Sequence, residues 1–164
     1  MQVKICGLNI TRDVQLCIDL QVNLLGFVFY EKSPRNTNLK DIDILNKYNK
    51  KNSSFVAVTV NPTDYFIKEN LLGNFEYIQL HGSETNERVS EIKNMGFKII
   101  KAIKVKEKKT IDKYKEFTSA DIILFDTPGM EKSLEFPKNL ITELPHGENY
   151  ALAGSVSEDN LENI

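Results

Sequence analysis

The stretch LLGFVFYEKSPR, Leu24 to Arg35, joins an apolar run of six residues to a polar turn that carries a proline. A strand with one face in water alternates apolar with polar residues. LLGFVF does not alternate, so it reads as a strand buried on both faces, as in a parallel sheet. Similar runs lie around it: VKIC (Val3–Cys6), FVAVTV (Phe55–Val60), YIQL (Tyr77–Leu80), KIIKAI (Lys98–Ile103), IILF (Ile122–Phe125) and YALA (Tyr150–Ala153). Their starts fall roughly 20 to 30 residues apart, the size of a strand–helix repeat.

Amphipathic stretches separate these runs. Thr11-Arg12-Asp13 opens one that runs through Leu16 and Leu20, with Cys17 on its apolar side. Ser83-Glu84-Thr85 opens another, with Val89, Ile92 and Met95 on one face and Gly96 as its stop. Ile111, Tyr114 and Phe117 have helical spacing, and a last helix starts at Ser157-Glu158-Asp159. Seven strands, each followed by a helix or helical stub, suit either an open doubly wound sheet or a (β/α)₈ barrel. Periodicity does not choose between them. The usual barrel length of at least about 200 residues counts against a complete barrel.

The chain has 164 residues, 41% hydrophobic and 27% charged, with a net charge of −2, which fits one α/β domain over 1–164. The lysines are dispersed, so no basic face points to nucleic acid or to an anionic membrane. Two cysteines without metal-ligand spacing point to free thiols rather than to a metal site or a disulfide framework. No basic-then-apolar leader and no long apolar span is present, so a cytoplasmic protein that does not enter membranes is expected.

Strand parity sharpens the picture. In VKIC, Lys4 and Cys6 share one face, and Val3 and Ile5 the other. In YIQLH, Gln79 and His81 share a face, and Asp126 ends the sixth strand. Cys6, His81 and Asp126 therefore stand at the ends of three strands, just before the turns into the next helices. In α/β folds ligands bind at that carboxyl edge. A lysine inside a sheet is costly unless paired, so Lys4 points to a polar interior or an anionic partner. Alone, each residue has a plainer reading: a core cysteine, a loop-bonding histidine, a turn aspartate.

Together the segments resemble phosphoribosylanthranilate isomerase, collinearly from Val3 to Asn160. VKICGL, GFVFYEKSPR, VAVTVN, IQLHG, IKAIKV, LFDT and LAGSVSEDN follow one another in that family's order. The resemblance implies a (β/α)₈ TIM barrel and an Amadori rearrangement of N-(5-phosphoribosyl)anthranilate, in tryptophan biosynthesis, without a cofactor. It implies Cys6 as general base and Asp126 as general acid. Arg35 is expected on the anthranilate carboxylate, His81 at the pocket edge, and the N–H groups of the turn around Gly154 and Ser155 on the phosphate. A basic Cys6 has to ionise near neutrality, whereas an isolated thiol does so near pH 8.5 or so; Lys4 is the cation that would favour its thiolate.

The resemblance also implies an eighth strand–helix unit that residues 1–164 do not contain, so the expectation is an incomplete barrel with strands one and seven as open edges. An isomerase is the favoured reading. The alternatives are a weakly active or inactive remnant completed by a partner, and a related phosphosugar barrel enzyme such as indole-glycerol-phosphate synthase, whose lysine and glutamate constellation is not recognisable. The segment after Asp126, TPGMEKSLEF, departs from the family's glycine-rich pattern, and Ser155 stands where a second glycine is usual.

Overall fold

A computed structural model describes residues 2–8, 11–127, 136–147 and 149–154. Seven strands are present among them: β1 (Lys4–Cys6), β2 (Leu24–Phe29), β3 (Ser54–Thr59), β4 (Tyr77–Leu80), β5 (Lys98–Lys104), β6 (Ile122–Asp126) and β7 (Tyr150–Leu152). All are parallel and lie in the order β1-β2-β3-β4-β5-β6-β7. That order decides between the two architectures. A doubly wound sheet reverses its strand order, whereas strictly sequential right-handed crossovers keep every helix on one face and let the other face curl inward. The sheet is that of a (β/α)₈ TIM barrel, with β1 and β7 as its two edges among the described residues.

Each strand matches its apolar run to within one or two residues, and parity divides the side chains as read from the sequence. Outward-facing Leu25, Phe27, Phe29, Phe55, Ala57, Ile78, Leu80 and Ile99 form the main core with the helices. Inward-facing Leu24, Val28, Val56, Val58, Ile100, Ala102 and Leu124 fill the barrel side. Full burial of one such branched or aromatic side chain contributes about 1.5–3 kcal/mol.

The helical connections are α1 (Thr11–Asp19), α2 (Ile42–Leu45), α3 (Asp64–Phe66, continued by a π-helical turn at Ile67–Leu71), α4 (Asn86–Lys93), α5 (Lys108–Ile111) and α6 (Lys138–Ile141). Thr85 caps α4 by accepting from the Arg88 N–H, and Val89 and Ile92 are buried beneath it. The continuous helix expected over Ile111 to Phe117 is instead one α-turn followed by 3₁₀ turns at Asp112–Glu116. Tyr114 there packs edge-on against Phe125 and Tyr150, so the tighter turn follows ring packing rather than helical spacing. In α1 the buried side is Val14, Cys17 and Ile18, while Leu16 and Leu20 are 53% and 68% exposed. The stretch from Ser157, the seventh-strand turn residue Ser155 and most of TPGMEKSLEF lie outside the described residues.

A repeated device ties the strands at their amino ends. The residue just before each of β2, β4 and β6 accepts a backbone N–H from the preceding strand or, for β1, from the residue just before it. Asn23 Oδ1 takes Val3 N–H at 2.9 Å, Glu76 Oε2 takes Phe55 N–H at 2.8 Å, and Asp121 Oδ2 takes Ile99 N–H at 2.7 Å. These bonds fix the register from which the carboxyl ends, and hence the site, are placed.

Candidate active site

One large cavity lies over the inward face and carboxyl edge, and Lys4, Cys6, Arg35, His81, Asp126 and Gly154 all line it. The structure thus brings together every described residue singled out from the sequence. Ser155 falls outside the described residues.

Cys6 ends β1, and Gly7 follows with φ +86°, a left-handed conformation that glycine adopts without strain. The N–H groups of Gly7 and Leu8 both donate to the Gly26 carbonyl, at 2.9 and 3.1 Å, so the chain turns off the sheet directly after the thiol. Gly26 on β2 pairs with Cys6. A Cβ at Gly26 would stand 3.0 Å from Cys6 Sγ and 3.0 Å from Lys4 Nζ. Ammonium and thiol therefore flank the same small gap. Gly26 was not singled out from the sequence, although a lone glycine inside an apolar strand is the signal of a close approach.

Arg35 reaches the same place from the next loop. Asn36 Oδ1 accepts the Tyr30 N–H at 2.7 Å, and the Thr37 N–H donates to Val28 O at 2.6 Å, folding KSPR back beside β2. The Arg35 side chain lies over Gly7, where a Cβ would meet its Cδ at 2.6 Å and its Nε at 3.2 Å. A guanidinium fork thus stands over the turn that follows Cys6, suited to a planar carboxylate.

On the other side of the cavity His81 Nε2 lies 3.2 Å from Asp126 Oδ2, and Asp126 Oδ1 accepts the Thr127 N–H at 2.8 Å. The imidazole and the carboxyl group thus stand side by side at the ends of β4 and β6. Gly154 follows β7 with φ +126° and packs against Thr127, whose Cγ2 would stand 2.7 Å from an added Cβ. The seventh-strand turn is thereby held against the end of β6.

The strand order, with titratable side chains gathered at the carboxyl edge around one cavity, is that of a (β/α)-barrel protein whose site lies at the strand ends. The comparisons with known proteins narrow the class. The family model for N-(5′-phosphoribosyl)anthranilate (PRA) isomerase matches residues 3–164. The N-(5′-phosphoribosyl)anthranilate isomerase of Legionella pneumophila (strain Lens) is 36% identical over 169 residues, covering 98% of this chain and 79% of the relative. That of Staphylococcus carnosus is 31% identical over 170 residues, covering 99% and 80%. A solved phosphoribosyl anthranilate isomerase in complex with reduced 1-(o-carboxyphenylamino)-1-deoxyribulose 5-phosphate superposes with a TM-score of 0.82 at 25% identity, covering 99% of this chain and 79% of that one. The chain belongs to the phosphoribosylanthranilate isomerase family and is an isomerase of tryptophan biosynthesis.

Proposed function

We propose that Asp126 and Cys6 carry the rearrangement of N-(5′-phosphoribosyl)anthranilate from opposite walls of the cavity. The protonated Asp126 carboxyl gives its proton to the furanose ring oxygen. The bond from that oxygen to C1 breaks, and the anthranilate nitrogen lone pair forms the Schiff base. Cys6, as thiolate, then takes the C2 proton, and the electrons of that C–H bond neutralise the iminium as an enol amine. Tautomerisation gives the ketone, and solvent returns the proton from thiol to carboxylate. Only protons move, so the reaction asks for no redox or group-carrying cofactor.

The remaining groups bind and orient. The Lys4 ammonium beside Sγ favours the thiolate, and Arg35 takes the anthranilate carboxylate. His81 stands beside Asp126 at the pocket edge and orients it. The backbone N–H groups of the turn at Gly154 and Ser155 receive the phosphate, as backbone donors at such barrel loops do. The substrate is a small phosphosugar conjugate. No helix among the described residues is long and apolar enough to cross a membrane.

The observation that carries the assignment is the placement of Cys6 with Lys4 and of Asp126 with His81 around one cavity. With both pairs assembled, an inactive remnant is not favoured. The test follows the loss of substrate fluorescence with the parent chain, Cys6→Ala and Asp126→Asn. Each variant is expected to lose about 10²- to 10⁴-fold in kcat, the usual contribution of a positioned acid or base. Equal rates in all three would sink the assignment.

A further inference from the structure

The outward row of the sheet is uncharged except at Lys101 on β5, which is 2% exposed. Its ammonium meets the Glu84 carboxylate at 2.7 Å, and Glu84 is 6% exposed. Burying two charges commonly costs as much as their attraction returns, so such a pair is poor evidence of a stabilising device. Its remaining hydrogen bonds show what it holds. Lys101 Nζ donates to the carbonyls of Leu80 at 3.4 Å and Gly82 at 3.0 Å. Glu84 Oε2 accepts the Gly82 N–H at 3.0 Å, and Glu84 Oε1 accepts the Asn61 N–H at 2.8 Å. Leu80 and Gly82 are the two neighbours of His81, whose own N–H donates to Thr59 O at 2.9 Å. The Phe117 ring covers the ammonium, 5.3 Å from its centroid.

We propose that Glu84 and Lys101 are positioning residues of the isomerase, which pin the backbone on both sides of His81 so that its Nε2 meets Asp126 Oδ2. The proposal rests on the reading of Asp126 as the acid. The position of a side chain at a strand end is set by the backbone that carries it, and a site holds its geometry only when supporting bonds fix that backbone. Here the ion pair makes three bonds to main-chain groups of the turn after β4 and one to the Asn61 N–H after β3, tying the two turns together. It acts from the helix-facing side of the sheet, while His81 acts from the cavity side.

The test uses Lys101→Met and the double variant Glu84→Gln/Lys101→Met, which leaves no lone buried charge, with His81→Asn alongside. Three readouts are compared: kcat and KM, the ¹⁵N signal of the His81 imidazole, and the alkylation rate of Cys6 across the barrel. The chain has two histidines, so His146→Asn assigns the imidazole signals. The expected result is a fall in kcat of about 10- to 100-fold, as for a displaced catalytic group, with KM nearly constant. The His81 signal should move, and Cys6 should alkylate at the parent rate. A folded double variant with the parent's kcat and His81 signal would overturn the proposal, as would a lowered kcat with that signal unmoved. Should Lys101→Met fail to fold, the double variant decides alone. If His81→Asn itself keeps the parent's kcat, the reading of the Asp126–His81 pair fails, whereas the imidazole signal still reports whether Glu84 and Lys101 hold His81.

Discussion

His81 and Asp126 touch across an intervening strand, at 3.2 Å between Nε2 and Oδ2. The hydrogen-bond rows do not place them level. Leu80 pairs with Lys101, and Lys101 with Ile123, so Asp126 lies two residues beyond the level of His81. Strand tilt in a barrel closes that offset by bringing residues of alternate strands into one layer. The small Ala102 between them leaves the contact open. His81→Asn removes the imidazole at this distance. It is expected to lower kcat about 10- to 100-fold, with KM little changed, as misplacement of a reacting group does. Steady-state kinetics checks it, and an unchanged kcat would remove His81 from the site.

Gly26→Ala places a methyl group 3.0 Å from both Cys6 Sγ and Lys4 Nζ and 3.2 Å from the Cys6 Cα. The thiol, the ammonium and the Cys6 backbone must each give by a few tenths of an ångström, which disturbs the gap that thiol and ammonium share. Activity should fall sharply, while overpacking costs about 1–3 kcal/mol in a urea melt. Lys4→Met keeps the bulk and removes the charge. Slower iodoacetamide labelling of Cys6 is expected near neutral pH; an unchanged rate would take Lys4 out of the thiol's chemistry.

Gly7→Ala combines a side chain at φ +86° with a contact to Arg35 Cδ at 2.6 Å. The left-handed conformation alone costs about 1–2 kcal/mol. Because Arg35 must move, KM should rise by more than kcat falls. A variant with the parent's KM would argue that Arg35 does not bind substrate.

Asp121 lies away from the cavity and clamps β5, accepting from Ile99 N–H and from Lys93 Nζ, both at 2.7 Å. Asp121→Ala leaves that strand-end N–H without its partner, and a loss of about 1–3 kcal/mol is expected. Denaturant unfolding measures it. Saturated activity should hold, separating register from chemistry.

Burial first, and the Asp13 carboxylate second, push the Cys17 thiol above its ordinary range. A raised value means less thiolate at a given pH, so native Cys17 should alkylate more slowly than in the urea-unfolded chain. The linkage has one sign: below the unfolded thiol's value, about 8.5, both states are protonated and folding is unaffected. As pH rises past it, the unfolded thiol ionises first and stability falls, until the native thiol ionises too. Urea melts on either side of that value check this, with Cys17→Ala expected to lose the pH-dependent part.

Much of the molecule is legible in the residues alone. Apolar runs without alternation mark the seven parallel strands, because both faces of β2 to β6 are covered, whereas the edge strand β1 leaves Ile5 exposed. Parity within VKIC and YIQLH puts Lys4 with Cys6 and Gln79 with His81, because successive side chains of a strand must point to opposite faces. Register could not be read that way. The strand order that distinguishes a barrel, the tilt that joins His81 to Asp126 and the fold of KSPR over Gly7 all depend on bonds between residues far apart in the chain. Lys101 and Glu84 show the same limit. One looks like a strand lysine and the other like a helix-opening acid, and only the packing of β5 beneath the turn after β4 makes them a buried pair.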